Sequence, residues 1–343
     1  MTAQPPSGTS WLASQGSATL VVFRALQLGD MLCTVPALRA LRAALPDTKI
    51  ALVGLPWAQQ FATRFPQYVD EFIPFPGHEA FPEQTVKHDQ LADFYAGMRA
   101  RRFDVALQMH GSGEQSNNVT RAFGARSLAG YGDDPSTHRE QFHPYPDAGA
   151  EPHRLLDLVH VLGAPSTSAE LEFPITDADE GELAASGLAC DLTPGDYVCI
   201  HPGARSRDKC WHPARFAQVA DQIAREFDIR IVLTGSADEA PLTAAVANRM
   251  RYKAIDAASS MSIGAMAALM SRSRLLVCND TGVSHIAAGL KLNSVVIFSK
   301  ADIRRWAPTD KQRHRCLWDP LGERVIDVIN HARALLSEQS TLT

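Results

Sequence analysis

A short apolar run that ends in a glycine-containing turn and leads into a helical pattern constrains the fold of this chain most. Residues 19–23 are apolar and largely β-branched, which favours a strand buried in a parallel sheet. After a turn at residues 24–29, apolar residues recur with helical spacing, and residues 49–53 form a second apolar run. This β-α-β unit predicts a parallel sheet with a right-handed crossover.

The same alternation of strand and helix signals returns in the second half of the chain. A length of 343 residues exceeds what one hydrophobic core usually supports, so we expect two domains. The sequence therefore predicts the α/β class, with two Rossmann-like, doubly wound domains in tandem and a ligand cleft between them. Further strands are predicted at residues 71–73, 105–108, 127–129, 197–200, 230–234, 275–278 and 294–298.

Changes in composition place the domain boundaries. Residues 1–17 are rich in Pro, Ser and Gly and are predicted to be a disordered tail, and the polar residues 130–150 a loop. Small, acidic and turn-forming residues at 171–193 predict a linker between the two domains. We expect the domains at 18–170 and 194–320, and a C-terminal helix and tail at 321–343.

The composition excludes several classes of protein. The net charge of −5 is atypical of a nucleic-acid binder, so no nucleic-acid partner is expected. No apolar run approaches the length of about 18 residues that a membrane-spanning helix needs. The N-terminus lacks a basic start followed by an apolar stretch, so it does not resemble a signal peptide. We expect a cytoplasmic protein; the sequence does not indicate its oligomeric state.

Gly29 and Asp30 lie at the first predicted turn from strand to helix. Gly29 allows a tight turn and a close approach to a ligand, and Arg24 opens the same turn. Asp30 is either the N-cap of the helix or a general base that takes the proton of an attacking hydroxyl. A helix N-terminus lowers the pKa of a carboxylate, which opposes the second role unless burial offsets it.

A mixed basic and hydroxyl loop follows a predicted strand at residues 201–209. Its backbone N–H groups, Ser206 and Lys209 are able to wrap a phosphate group. The alternative is a solvated basic loop with no ligand.

Residues 279–285 form another turn between a strand and a helix. Thr281 and Gly282 offer N–H groups at a helix N-terminus, which favours an anion site, and His285 lies in the first turn. Alternatively, Asp280 is an N-cap and His285 is a structural histidine.

Acidic residues Asp238 and Glu239 follow the strand predicted at 230–234. A carboxylate at this place can accept hydrogen bonds from ribose hydroxyls, as in other nucleotide-binding folds. The alternative is a capping cluster for the next helix.

Two common phosphate-binding motifs, GxGxxG and the P-loop, are absent from the sequence, and no cluster has metal-ligand spacing. A bound diphosphate is therefore expected to be neutralised by backbone dipoles, Lys209 and Arg205. No metal ion and no cofactor is predicted.

These motifs together resemble glycosyltransferase family 9, the ADP-heptose:lipopolysaccharide heptosyltransferases. The matching stretches lie at residues 21–42, 201–216, 277–288 and 305–308, in the family's order and spacing. The resemblance implies a GT-B fold and an inverting, metal-independent sugar transfer. By the same resemblance Asp30 is the base, and Arg24 and Gly29 lie in the turn on the acceptor side. Donor-binding roles fall on Ser206, Lys209, Asp238 or Glu239, Asp280, Thr281, Gly282 and His285.

The expected partners are a nucleotide-sugar donor, such as ADP-heptose, and a lipid-linked glycan acceptor of the lipopolysaccharide-core type. Such an acceptor implies transient contact with the inner face of the membrane. Residues 111–118 and 130–150 do not match the family, which leaves the acceptor and the donor sugar open. Alternatives are an epimerase-like GT-B enzyme, a nucleotide-sugar-binding module, and a transferase that uses another nucleotide sugar.

Overall fold

The computed structural model of the chain describes residues 10–258 and 261–339. The chain divides into two compact units, Met1–Leu171 (unit 1) and Glu172–Thr343 (unit 2). Each unit has its own hydrophobic core, built on the apolar strands of its own sheet.

Unit 1 is a parallel sheet with helices between its strands. Its described strands are β1 (Thr19–Phe23), β2 (Lys49–Gly54), β3 (Glu71–Pro74), β4 (Val105–Gln108), β5 (Ser127–Tyr131) and β6 (Glu140–His143). Its described helices are α1 (Trp11–Ser14), α2 (Leu28–Leu32), α3 (Val35–Ala44), α4 (Gln59–Arg64), α5 (His88–Ala100), α6 (Ser116–Arg121) and α7 (Glu151–Val161).

The strand order in unit 1 identifies a doubly wound sheet. Among the described residues the order is β3-β2-β1-β4-β5-β6, and every pair is parallel. Val21 of β1 is in register with Ala51 and Ala106 of its two neighbours. The chain winds outward from β1 in one direction and from β4 in the other, so the carboxyl ends of these two strands flank the topological switch point.

Two expectations for unit 1 are wrong. Residues 10–17 are not a disordered tail: Ser10 caps α1, Leu12 is buried and Trp11 Nε1 donates to the His138 carbonyl. Residues 1–9 lie outside the described residues. The polar segment 130–150 is not only a loop, because Glu140–His143 adds β6 to the sheet beside β5. At this edge of the sheet a strand needs few apolar residues, so its sequence resembles a loop.

Unit 2 repeats the architecture. Its described strands are β7 (Tyr197–His201), β8 (Arg230–Leu233), β9 (Ala254–Asp256), β10 (Leu275–Asn279), β11 (Ser294–Phe298) and β12 (His314–Trp318). Its described helices are α8 (Asp177–Ala185), α9 (Pro213–Phe227), α10 (Ala240–Ala247), α11 (Ile263–Ser271), α12 (Gly282–Gly289), α13 (Ile303–Trp306) and α14 (Val325–Gln339).

The described strands of unit 2 have the order β12-β11-β10-β7-β8-β9, again parallel throughout. The carboxyl ends of β7 and β10 therefore flank the switch point of this sheet. On the inner face of α14, Val328, Ala332 and Leu335 are buried in the core of unit 2.

The expected linker at 171–193 is wrong as a description of this segment. It contains α8, which begins with a capping box between Thr176 and Asp179. Glu182 of α8 accepts hydrogen bonds from the backbone and hydroxyl of Ser262, the N-cap of α11. Because Leu183 is also buried, α8 is a packed part of unit 2. Across the described ranges, no helix combines the length and apolar character needed to cross a bilayer.

Candidate functional site

The switch point of unit 1 is built around the guanidinium group of Arg24, directly after β1. Its side chain is fully buried. Nε and Nη2 donate to the carbonyl oxygen of Asp30 at 3.1 and 3.0 Å, and Nη1 donates to the carbonyl of Met109, after β4. Nη2 also forms an ion pair of 3.1 Å with Glu151, whose side chain is buried in the first turn of α7. One cation thus joins the ends of two strands and the starts of two helices.

Asp30 lies in the first turn of α2 and is half-buried. It is not the N-cap, because Gln27 occupies that position. The Asp30 carbonyl accepts the two Arg24 hydrogen bonds and a third from the Thr34 hydroxyl, at 3.1 Å. The backbone that carries the carboxylate is therefore fixed at the carboxyl edge of the sheet, where a doubly wound fold binds its ligands.

The loop at 201–209 begins in unit 2 where β7 ends. Asn279, the last residue of β10, donates to the Pro202 carbonyl at 2.8 Å and accepts from the Trp211 backbone N–H at 2.9 Å. These two hydrogen bonds attach the start of the loop and the residue Trp211 beyond its end to the neighbouring strand. Asn279 itself is fully buried. Trp211 in turn donates from Nε1 to the buried carboxylate of Asp319 at 3.0 Å.

Lys209 and Asp280 meet across the switch point of unit 2. The ammonium nitrogen of Lys209 lies 3.1 Å from Asp280 Oδ2, with side-chain exposures of 33% and 9%. Asp280 is not an N-cap, because Thr281 holds that position in α12 and makes no side-chain capping hydrogen bond. The structure thus places the lysine next to the helix N-terminus formed by Thr281 and Gly282.

Ser206 lies in the same loop, and its hydroxyl donates a hydrogen bond to the carboxylate of Asp208. Asp208 also pairs with Lys300 at 3.3 Å, and both side chains are more than half exposed. Lys300 and its carboxylate partner therefore form a second, solvent-exposed ion pair beside the loop.

The acidic residues after β8 differ in their surroundings. Glu239 Oε2 accepts from the backbone and hydroxyl of Ser236 in a capping box, so the capping interpretation holds for Glu239. Its other oxygen, Oε1, lies so close to Gly203 that an added Cβ there would be 1.9 Å away. Asp238 is exposed, and its carbonyl accepts from Arg207 at 3.3 Å.

A buried histidine connects these two loops. His201 lies 3.2 Å from the Thr234 hydroxyl through Nδ1 and 3.8 Å from Glu239 through Nε2. Burial lowers the pKa of His201, and the Glu239 charge acts in the opposite direction.

His285 is buried in the first turn of α12, and its ring centroid lies 6.5 Å from that of Trp306. The guanidinium of Arg305 lies over the same indole, 4.7 Å from its centroid. The segment 305–308 is therefore brought beside the 279–285 turn. In the described part of the chain, no group of three or more His, Cys, Asp or Glu side chains is arranged to hold a metal ion.

Glu151 and Asp319 belong to these sites, although no sequence motif indicates either residue. Glu151 opens α7, and an acidic residue in a first turn usually serves the helix dipole. Its ion pair with Arg24 spans 127 positions of sequence, which no local pattern reveals. Asp319 lies directly after β12, for which the sequence predicts no strand.

Two tandem Rossmann-like units, each with polar side chains gathered at its switch point, define the GT-B class of fold, as the sequence predicted. The chain belongs to glycosyltransferase family 9 (heptosyltransferase), whose family model matches residues 92–337. The predicted family is therefore confirmed, and with it the assignment as a glycosyltransferase.

Individual relatives agree with this assignment. Lipopolysaccharide heptosyltransferase 1 of Salmonella typhimurium is 24% identical over 298 residues, which cover 82% of this chain and 89% of that protein. Lipopolysaccharide heptosyltransferase 3 of Escherichia coli is 30% identical over 117 residues, and this match spans only 34% of that relative's length.

Solved structures share the fold. A family 9 glycosyltransferase from Veillonella parvula has a TM-score of 0.79 at 21% identity, covering 94% of this chain and 98% of that chain. The E. coli heptosyltransferase WaaC, solved with ADP-2-deoxy-2-fluoro heptose, has a TM-score of 0.68 at 20% identity, covering 94% of this chain and 99% of that chain.

Removal of one partner of the Arg24–Glu151 pair should destabilise unit 1 strongly. We expect Arg24→Met to lower the free energy of unfolding by about 3–5 kcal/mol, because it leaves the Glu151 carboxylate buried without its cation. The double variant Arg24→Met/Glu151→Leu should recover part of this loss, since neither charge of the pair is then left buried without its partner.

Urea denaturation followed by circular dichroism measures the difference. If the single variant fails to fold while the double variant folds, that result also supports the predicted cost of leaving the Glu151 carboxylate unpaired. Equal stability of the single and double variants would show that the ion pair is not what Arg24 contributes.

Proposed function

We propose that this chain transfers heptose from ADP-heptose to a hydroxyl group of a lipopolysaccharide-core glycan, with inversion at the anomeric carbon. The observation that carries the proposal is the Lys209–Asp280 pair at the switch point of unit 2, next to the N-terminus of α12. The names of the relatives support the substrate class, because they are lipopolysaccharide heptosyltransferases.

Unit 2 binds the donor in this proposal. Lys209 is one-third exposed, so its ammonium group is accessible to a phosphate oxygen, while Asp280 holds it in place. The N–H groups at Thr281 and Gly282 add the positive end of a helix dipole. These groups stabilise the charge on the departing diphosphate, and no metal ion is required for this role.

The remaining donor contacts follow from the same loops. When the donor binds, the Ser206 hydroxyl gives up its hydrogen bond to Asp208 and donates to a phosphate oxygen instead. His285, in the first turn of α12, contacts the sugar. We assign the ribose contact to Glu239 in preference to Asp238, because the capping box fixes its carboxylate and Oε1 makes no hydrogen bond within the described residues.

Unit 1 supplies the base. The acceptor hydroxyl oxygen forms a bond to the anomeric carbon on the face opposite the diphosphate, and Asp30 takes the hydroxyl proton. The bond from the anomeric carbon to the phosphate oxygen breaks, and ADP leaves with its electron pair. Arg24 contributes by holding the Asp30 backbone, since its guanidinium is fully buried. A lipid-linked acceptor would bring unit 1 into transient contact with the membrane surface.

Replacement of Asp30 by Asn should abolish most of the transfer and leave donor binding intact. The amide keeps the size of the side chain but cannot take a proton, and general-base catalysis contributes about 10²–10⁴-fold in rate. We therefore expect turnover of ADP-heptose with acceptor to fall by about that factor, with ADP-heptose affinity changed less than about twofold.

The matched control is Gln27→Ala, in the same turn, because the Gln27 side chain makes no capping hydrogen bond. Near-wild-type turnover of the Asp30→Asn protein would remove Asp30 from the role of base.

Replacement of Lys209 by Met should weaken donor binding. A hydrogen bond from a charged group contributes about 1.5–3 kcal/mol, so we expect ADP-heptose affinity in titration calorimetry to fall about 10- to 100-fold. The control is Lys300→Met, which removes the exposed lysine paired with Asp208 and should change affinity less than about twofold. An unchanged affinity in the Lys209 variant, or an equal loss in both variants, would contradict the proposed phosphate site.

A further inference from the structure

His110 is a second polar group at the switch point of unit 1, and none of the roles above uses it. It follows Met109, whose carbonyl accepts a hydrogen bond from Arg24, and its side chain is 8% exposed. It therefore lies at the same sheet edge as the Asp30 turn, to which Arg24 also donates.

The backbone of Ala25 determines the tautomer of His110. The Ala25 N–H donates to Nδ1 of the imidazole at 3.2 Å. A backbone N–H can only donate, so Nδ1 must be the acceptor nitrogen of the ring. The single proton of the neutral imidazole is then on Nε2, which becomes a hydrogen-bond donor.

The imidazole stays neutral at physiological pH. Burial, with a smaller contribution from the Arg24 charge, lowers the pKa of His110 to about 3. The two aromatic rings packed against the imidazole, Phe23 and Phe81, carry no charge. A proton added to Nδ1 would also break its hydrogen bond to Ala25. His110 therefore neither gives up nor takes a proton near neutral pH, and Nε2–H remains a donor.

The ring and the backbone of His110 are both held in place. The ring stacks on Phe23 with centroids 5.1 Å apart and planes at 11°, and Phe81 lies 4.3 Å away. The His110 carbonyl accepts from Gln108 Nε2 and from the Ser116 hydroxyl, each at 2.7 Å. A donor held this firmly loses little conformational entropy when it binds a ligand.

Within the described residues, the fold supplies hydrogen-bond partners for Nδ1 and for the carbonyl oxygen of His110. Nδ1 satisfies a backbone N–H, and the ring fills space between aromatic side chains. Nε2 has no hydrogen-bond partner within residues 10–258 and 261–339, and it is not among the fully enclosed unpartnered atoms. Nε2–H is thus an unused hydrogen-bond donor on a ring that lies at the ligand-binding edge of the sheet.

We propose that Nε2–H of His110 donates a hydrogen bond to a hydroxyl or ring oxygen of the glycan acceptor and so positions the acceptor beside Asp30. This role rests on the proposed function, because it needs a sugar acceptor on unit 1. A neutral N–H contributes a hydrogen bond without an ion pair, which is sufficient to bind an uncharged sugar oxygen. His110 is thus a binding and positioning residue and does not take part in proton transfer.

The test uses the full chain and its His110→Asn variant. Asn retains an oxygen that can accept from Ala25 but removes the donor at the Nε2 position. Titration calorimetry measures binding of a deacylated lipopolysaccharide-core oligosaccharide and, separately, of ADP-heptose. We expect oligosaccharide affinity to fall about five- to twentyfold and ADP-heptose affinity to change less than about twofold. The oligosaccharide affinity of the wild type should show no inflection attributable to His110 between about pH 5.5 and 8.

A second measurement needs no variant. In the wild-type protein, the ¹⁵N signal of His110 Nε2 should shift when the oligosaccharide is added, whereas that of Nδ1 should not. The proposal is overturned by unchanged oligosaccharide affinity in the folded variant, by equal losses for both ligands, or by an Nε2 signal that does not move at the highest oligosaccharide concentration.

Failure of the proposed function would appear differently. Transfer by the wild type that is unaffected in the variant refutes the role of His110 alone. Absence of transfer by the wild type refutes the proposed function, while the Nε2 signal still shows whether His110 binds the oligosaccharide.

Discussion

The ion pair between Arg24 and Glu151 is the interaction on which the arrangement of unit 1 most depends. Burying a charge is costly unless it is paired and hydrogen-bonded, and Arg24 is bonded to a carboxylate and two backbone carbonyls. Those partners lie directly after β4, on α2 and on α7, and Arg24 itself follows β1. The cost of leaving any of these groups unpaired therefore fixes four segments relative to one another. The Asp30 turn takes its position from this network.

Unit 2 has a similar ion pair at the equivalent topological position, but its cation is partly exposed to solvent. The exposed fractions of the side chains are 0% and 3% for Arg24 and Glu151, but 33% and 9% for Lys209 and Asp280. A fully buried guanidinium can only organise the protein around it. A partly exposed ammonium keeps hydrogen-bond donors for a ligand, so the same kind of pair becomes a candidate phosphate site.

Strands with strong apolar patterns could be predicted from sequence almost to the residue, as for β1, β4 and β11. The strands that were missed, β6, β9 and β12, are short or polar edge strands whose pairing is set by the neighbouring strand. Helix α8 was mistaken for linker because its acidic first turn resembles a solvated segment, although Glu182 and Leu183 attach it to unit 2.

For the candidate site, the turns after β1, β7, β8 and β10 could be located because polar residues and glycine interrupt apolar runs there. The partners within those turns could not, because they depend on contacts between distant segments. The Arg24–Glu151 pair and the hydrogen bond from Ala25 to His110 are examples, because each joins segments that are distant in sequence. Capping also proved ambiguous: Glu239 is in a capping box, whereas Asp30 and Asp280 are not N-caps.

The most direct test of the central claim is a transfer assay with ADP-heptose and a deacylated lipopolysaccharide-core oligosaccharide in the presence of EDTA. The account predicts that ADP and glycosylated oligosaccharide form in equal amounts, and that nuclear magnetic resonance shows the inverted anomeric configuration in the product. ADP release without a glycosylated product, transfer that requires an added metal ion, or retention of configuration would contradict it.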